Sequence, residues 1–134
     1  MVIAACFSVN LHAQNKPLVK GVTLTTFKNI PDDMMGCGDS YYLSKADMKA
    51  GLFLILDNSQ DILLYLNNQP VKFKQIRGGN KKLGTYKYKD PSLSIKNTYY
   101  KQAGDEYYLL RALITLKQGN KIIWQKNVIG DGGC

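Results

Sequence analysis

The sequence predicts an all-β domain, a small antiparallel barrel or sandwich of about eight strands with at most one short helical turn. Three observations predict it. Strand-length apolar runs recur at short intervals between clusters of Gly, Asn, Asp and Pro. Several of these runs alternate with a period of two, as half-buried strands do. Nine Tyr beside many Thr, Val and Ile favour extended backbone. With 134 residues, 45% of them apolar and 21% charged, the chain has the size and composition of one globular domain. No repeat, low-complexity tract or long linker divides it.

The first stretch reads as a targeting segment. Val2 to Val9 is almost wholly apolar and is followed by Asn10-Leu11-His12-Ala13-Gln14, which resembles the tail of a secretory signal with cleavage after Ala13. A basic n-region is missing, and Leu11 is bulky for a cleavage site. Residues 1–13 are therefore expected to be a signal-peptide remnant and 14–134 a single β domain. The run is shorter than the ~20 apolar residues of a membrane-crossing helix, so no transmembrane span is expected. Ile3-Ala4-Ala5-Cys6 also resembles a lipobox, which makes a lipid anchor at Cys6 the alternative to a soluble periplasmic or secreted protein.

Cleavage after Ala13 leaves two cysteines, Cys37 and Cys134. An even pair in an oxidising compartment predicts a disulfide. It would close a loop of nearly one hundred residues, worth about 4–5 kcal/mol on chain-entropy grounds. Both cysteines sit among glycines, in Gly36-Cys37-Gly38 and Gly130-Asp131-Gly132-Gly133-Cys134, and this context reads as flexible backbone able to bring them together.

The elements follow in order. Val19 to Phe27 is the first expected strand, and Ile30 to Gly38 is a loop opened by Pro31-Asp32-Asp33. After a short strand at Tyr41 to Leu43, Ser44-Lys45-Ala46-Asp47 can start a helical turn, with Ser44 as its cap and Gly51 just past its end. Leu52 to Leu56 and Ile62 to Leu66 are continuous apolar runs around Asp57-Asn58-Ser59, a central hairpin covered on both faces. Asn67-Asn68-Gln69 turns the chain into Val71 to Ile76, where Val71, Phe73 and Gln75 alternate with Lys72, Lys74 and Ile76. Arg77 to Lys82 is a turn. In Thr85 to Lys89, Tyr86 and Tyr88 oppose Lys87 and Lys89. Beyond Asp90-Pro91, simple alternation groups Leu93, Ile95, Asn97 and Tyr99 against Ser94, Lys96, Thr98 and Tyr100. Tyr107 to Leu116 and Ile122 to Ile129 form a last hairpin about Gln118-Gly119-Asn120.

Several chemistries find no residues to carry them. His12, in the leader, is the only histidine, so the mature chain lacks a His-assisted nucleophile and a His-ligated metal. Two cysteines fall short of the four ligands of a structural zinc site, and CxxC is absent. Most acids lie in turn-like contexts, where Asp side chains bond nearby amides. Asp32, Asp33 and Asp39 match no calcium-loop spacing, and Gly78-Gly79-Asn80-Lys81-Lys82 lacks the phosphate-loop spacing. Trp124 alternates with Ile122 and reads as core. No enzyme, metal or cofactor is expected.

The positive signal is charge. The chain carries a formal +8, and the stretch from Lys72 to Lys101 alone holds nine basic residues against one acid, Asp90; the remainder sums to zero. Concentrated charge attracts anions more strongly than diffuse charge. Lys72, Lys74, Arg77, Lys81, Lys82, Lys87, Lys89, Lys96 and Tyr100 are the candidate anion-binding set, ammonium groups interleaved with an aromatic ring. An anionic glycan, lipopolysaccharide or another envelope protein is the expected partner. Nucleic acid is a poor fit, since the chain is expected to be exported and has two arginines. Lysines that merely guard sheet edges against aggregation are the plainer alternative.

The string from Gly36-Cys37-Gly38 through Leu52 to Leu56 and Leu64-Tyr65-Leu66-Asn67-Asn68-Gln69-Pro70-Val71-Lys72-Phe73, closed by Gly-Asp-Gly-Gly-Cys, resembles small uncharacterised exported bacterial β proteins. Its strand, turn, Val-x-Phe and Tyr-bearing strand layout is also similar to that of the small β-barrel inhibitors of c-type lysozyme. Their SGxxY and WxxG segments are not reproduced. That second likeness implies a periplasmic or secreted enzyme inhibitor.

Overall fold

A computed structural model describes residues 21–75, 83–87 and 92–133. The leader with Cys6 and His12, the turn with Arg77, Lys81 and Lys82, and Lys89 and Cys134 lie outside the described residues. The elements are β1 (Leu24–Thr25), a 3-10 turn (Asp32–Met34), β2 (Gly38–Tyr42), α1 (Lys45–Ala50), β3 (Ile55–Asp57), β4 (Asp61–Leu66), β5 (Gln69–Gln75), β6 (Leu83–Lys87), β7 (Ser92–Gly104), β8 (Tyr107–Gln118) and β9 (Lys121–Gly133). All the strands are antiparallel, in one sheet of order β1-β4-β3-β2-β9-β8-β7-β6-β5, with β4 also pairing β5. From β2 onward each strand pairs with the next, and β9 returns to β2. The all-β antiparallel expectation holds.

Although the pairings run round from β2 to β9, two of the contacts are short, and the sheet curls without forming a fully closed barrel. Among the described residues, β5 and β6 share only two residue pairs, Lys74↔Lys87 and Gln75↔Tyr86. β9 meets β2 only from Ile129 to Gly133, so its Lys121–Val128 half pairs with β8 alone.

Local sequence explains the turns. Asn67 and Asn68 take φ of 50° and 68°, the left-handed pair of a two-residue hairpin turn, which asparagine tolerates. The Thr25 hydroxyl accepts from the Asn68 amide at 2.9 Å and ties this turn to β1. Asp57 Oδ1 accepts from Ser59 N, and Asn58 Oδ1 from Asp61 N, both at 2.8 Å, which builds the β3–β4 turn from side chains. Ser44 caps α1 by accepting from Asp47 N at 3.1 Å, and Gly51 ends the helix at φ 70°.

Two cores lie on the two faces of the sheet. The larger holds Tyr41, Leu54, Ile55, Ile62, Leu64, Phe73, Leu93, Ile95, Ile114 and Leu116, with Trp124 packed against it. Tyr41 donates its hydroxyl to Asn97 Oδ1 at 3.1 Å, so its buried oxygen is satisfied. On the opposite face Phe27, Met34, Leu56 and Leu63 form a second cluster, with Phe27 stacked on Tyr65 at 4.7 Å. The loop before β2 folds over the outer side of the β3–β4 hairpin, which is why both its strands are apolar without alternation. Of the expected first strand, Val19 and Lys20 lie outside the described residues; among the rest, Leu24–Thr25 pairs with β4 and Phe27 bridges Phe53.

Candidate functional site

The outer face of β5 to β8 is assembled by register. On β5, Val71 and Phe73 turn inward while Lys72 and Lys74 are exposed, as alternation predicts. Asp61 pairs with Lys74, Lys74 with Lys87, Lys87 with Ser92, and Ser92 with Lys117, so five positions form one cross-strand row. From β5 to β8 the row spans ~14 Å at ordinary strand spacing. Lys117 escaped the sequence reading because it follows an apolar run far from the basic stretch. The signal was present in the alternation of Leu113, Thr115 and Lys117 against Ala112, Ile114 and Leu116. One pleat along, Thr85, Ser94, Thr115 and Gln125 make a second row, in which Gln125 donates to the Thr115 hydroxyl at 2.8 Å. Lys96 is exposed on the next row, opposite Leu83 and Leu113.

Two of the expected anion-binding lysines already have carboxylate partners. Lys72 pairs with Asp33, and its hydrogen bond holds that carboxyl below the usual range. Lys74 Nζ lies 2.9 Å from Asp61 Oδ1, off-line for a hydrogen bond. Arg77, Lys81, Lys82 and Lys89 lie outside the described residues, and Lys87 is placed by backbone register alone.

Tyr100 is not where alternation put it. A bulge between Asn97 and Tyr99 inserts one residue into β7, so Tyr99 stands opposite Arg111 and Tyr100 opposite the buried Leu110. One added residue exchanges the faces of everything beyond it. Tyr100 thus leaves the face of Lys96 and packs 5.0 Å from Tyr108. Tyr99 takes the outer position, with Arg111 Cζ 4.9 Å from its ring centroid. Asn97 and Thr98 carry no glycine or proline to announce the bulge.

At the β2 end, glycines permit close approach. Asp39, Gly132 and Tyr108 share a row, and the Tyr108 hydroxyl donates to Asp39 Oδ1 across the glycine. Burial, then this carboxylate, raises the Tyr108 hydroxyl above its ordinary value. A Cβ on Gly132 would lie 2.1 Å from Asp39 Oδ1 and 2.8 Å from the Tyr108 ring; one on Gly133 would lie 1.7 Å from the Glu106 carbonyl. These glycines, read from sequence as flexible, are strand positions, with Gly133 opposite Gly38. On the outer side, Tyr107 donates to Asp131 at 3.1 Å.

A half-open cleft of about 250 Å³ lies beside this end, lined by Ile30, Met34, Met35, Asp39, Ser40 and Asp57. Asp39 and Asp57 oppose each other across β2 and β3. Among the described residues no three His, Cys, Asp or Glu are grouped to hold a metal ion, and no helix is long and apolar enough to cross a membrane. Comparison with protein families, curated proteins and solved structures yields no match.

Proposed function

We propose that this chain is a non-enzymatic, exported envelope protein that binds an anionic envelope component through the outer face of β5 to β8. The observation that supports it is the backbone register that sets Lys74, Lys87 and Lys117, with Ser92 between the last two, in one cross-strand row with a single acid, Asp61. Like charges opposed across strands are destabilising, and an anion bound over the row relieves that cost. The half-buried Ser92 and Ser94 supply hydroxyl donors for the same ligand. A basic face would repel a basic enzyme such as lysozyme, which favours anion binding over the inhibitor reading.

Export and a Cys37–Cys134 disulfide belong to this reading. Gly133 stands opposite Gly38, and each is the sequence neighbour of one of the two cysteines. Titration of the unreduced native protein is expected to find no free thiol; two free thiols would overturn the pairing. Mass spectrometry of the native N-terminus is expected to find cleavage after Ala13, and diacylglycerol on Cys6 would replace the soluble form with an anchored one. For the binding itself, lipopolysaccharide, acidic glycans and anionic vesicles are titrated at low and high salt. At least one is expected to bind more weakly as salt rises; absence of binding to all three at low salt would end the proposal.

A further inference from the structure

Resting on that anion-binding reading, we infer that the ligand is an extended anionic polysaccharide lying along the β7–β8 hairpin, on a ladder formed by Lys117, Lys96, Arg111 and Lys101. The bulge in β7 builds this ladder. Before it, Lys96 pairs with Leu113; after it, Tyr99 pairs with Arg111 and Lys101 with Leu109. Without the inserted residue, Tyr99 and Lys101 would share the face of Leu93 and Ile95. With it, the two join Lys96 and Lys117 on the outer side. All four cations are exposed.

Cross-strand rows on one face recur every second residue, about 6.7 Å apart. The rows of Lys117, Thr115, Lys96, Arg111 and Lys101 therefore cover ~27 Å in a line one hairpin wide. No acid stands on β7 or β8 within those rows. Asp105 and Glu106, in the turn just beyond, mark where the positive track stops.

The shape selects the ligand. A narrow line of cations matches a linear polymer with repeated negative groups better than a planar bilayer surface, which would use a broad patch. Tyr99 adds a face suited to a sugar ring: it is 40% exposed and already holds the Arg111 guanidinium against one side. A carboxylate or sulfate on a neighbouring sugar can then be met by the guanidinium, whose planar fork pairs with such groups in a bidentate manner. The lysines on either side act as point charges.

The test is a calorimetric titration of the full chain with size-defined heparin and polygalacturonate oligosaccharides, beside inorganic sulfate and phosphatidylglycerol vesicles. Affinity is expected to climb with oligosaccharide length until the ladder is spanned, and to stay weak for free sulfate. Arg111→Ala and Lys117→Ala are each expected to weaken long-oligomer binding by about threefold, the scale of one exposed charge contact. Tyr99→Ala should weaken oligosaccharides more than sulfate. Lys49→Ala, exposed on α1, should leave the ladder's affinity unchanged. Circular dichroism of each variant confirms that it is folded. Short and long oligomers binding alike, with Arg111→Ala silent and Lys74→Ala damaging, would overturn the ladder and leave anion binding by the cross-strand row intact. Binding to vesicles but to no oligosaccharide would overturn the polysaccharide in favour of a membrane surface. No binding to any of these probes would end both readings.

Discussion

Replacing Gly132 with alanine tests how the C-terminal strand is fitted into the sheet. The added methyl would sit 2.1 Å from Asp39 Oδ1 and 2.8 Å from two ring carbons of Tyr108. Contacts that short do not persist, so the carboxylate and the ring must part and their hydrogen bond is lost. A bond to a charged group contributes about 1.5–3 kcal/mol, and overpacking adds about 1–3 kcal/mol. Partial exposure of the Tyr108 side of the row argues for the lower half of the sum, so Gly132→Ala is expected to cost about 2.5–4 kcal/mol. Urea unfolding followed by the fluorescence of Trp124, the only tryptophan and one packed against the main core, measures it. Tyr108→Phe supplies the control, since it removes the hydroxyl and keeps the ring. In that background the alanine should cost at least ~1 kcal/mol less, because the shared bond is already gone. A Gly132→Ala protein within ~0.5 kcal/mol of the parent, or an equal cost in both backgrounds, would refute the reasoning.

Four further outcomes follow from the fold. Phe73→Ala, at a fully buried position of the main core, should cost about 3–5 kcal/mol in the same melts. Ser44→Ala removes the acceptor that caps α1 and should cost about 1 kcal/mol. Asn68→Gly, at φ 68° in the β4–β5 turn, should raise stability by a few tenths of a kcal/mol, because glycine takes that conformation without a Cβ penalty. The Tyr108 hydroxyl is raised in the folded state from an ordinary value of 10.0. Its contribution is therefore present in full below pH ~10 and lost as pH rises above that; alkaline titration of stability should fall more steeply for the parent than for Tyr108→Phe.

Much of the architecture was legible because it depends on local chemistry. The Asn67-Asn68 turn, the Ser44 cap with Gly51 behind it, and the two-faced burial of Ile62 to Leu66 each follow from side chains near in sequence. The alternation of Lys72 and Lys74 against Val71 and Phe73 placed one edge of the basic face correctly. What sequence alone missed depends on partners distant in the chain. The bulge at Thr98 moves Tyr100 to the face of Leu110 and Tyr108 and Tyr99 to that of Arg111, and only the fit of β7 against β8 requires it. Lys117 joins the basic row through Ser92, a neighbour created by pairing. Gly130, Gly132 and Gly133 looked like flexible linkage, whereas each is a place where another chain segment comes within contact of the backbone. A glycine selected for closeness and one selected for freedom are the same letter.

The proposed role turns on whether the positive face attracts a polyanion by charge. Calorimetric titration of the chain with a long anionic polysaccharide over a series of salt concentrations measures this most directly. The logarithm of the association constant is predicted to fall linearly with the logarithm of salt, as displaced counterions require. The slope should be shallower for Lys117→Ala and Arg111→Ala by about one ion each. Binding that ignores salt, or a slope unchanged by both substitutions, would contradict the account.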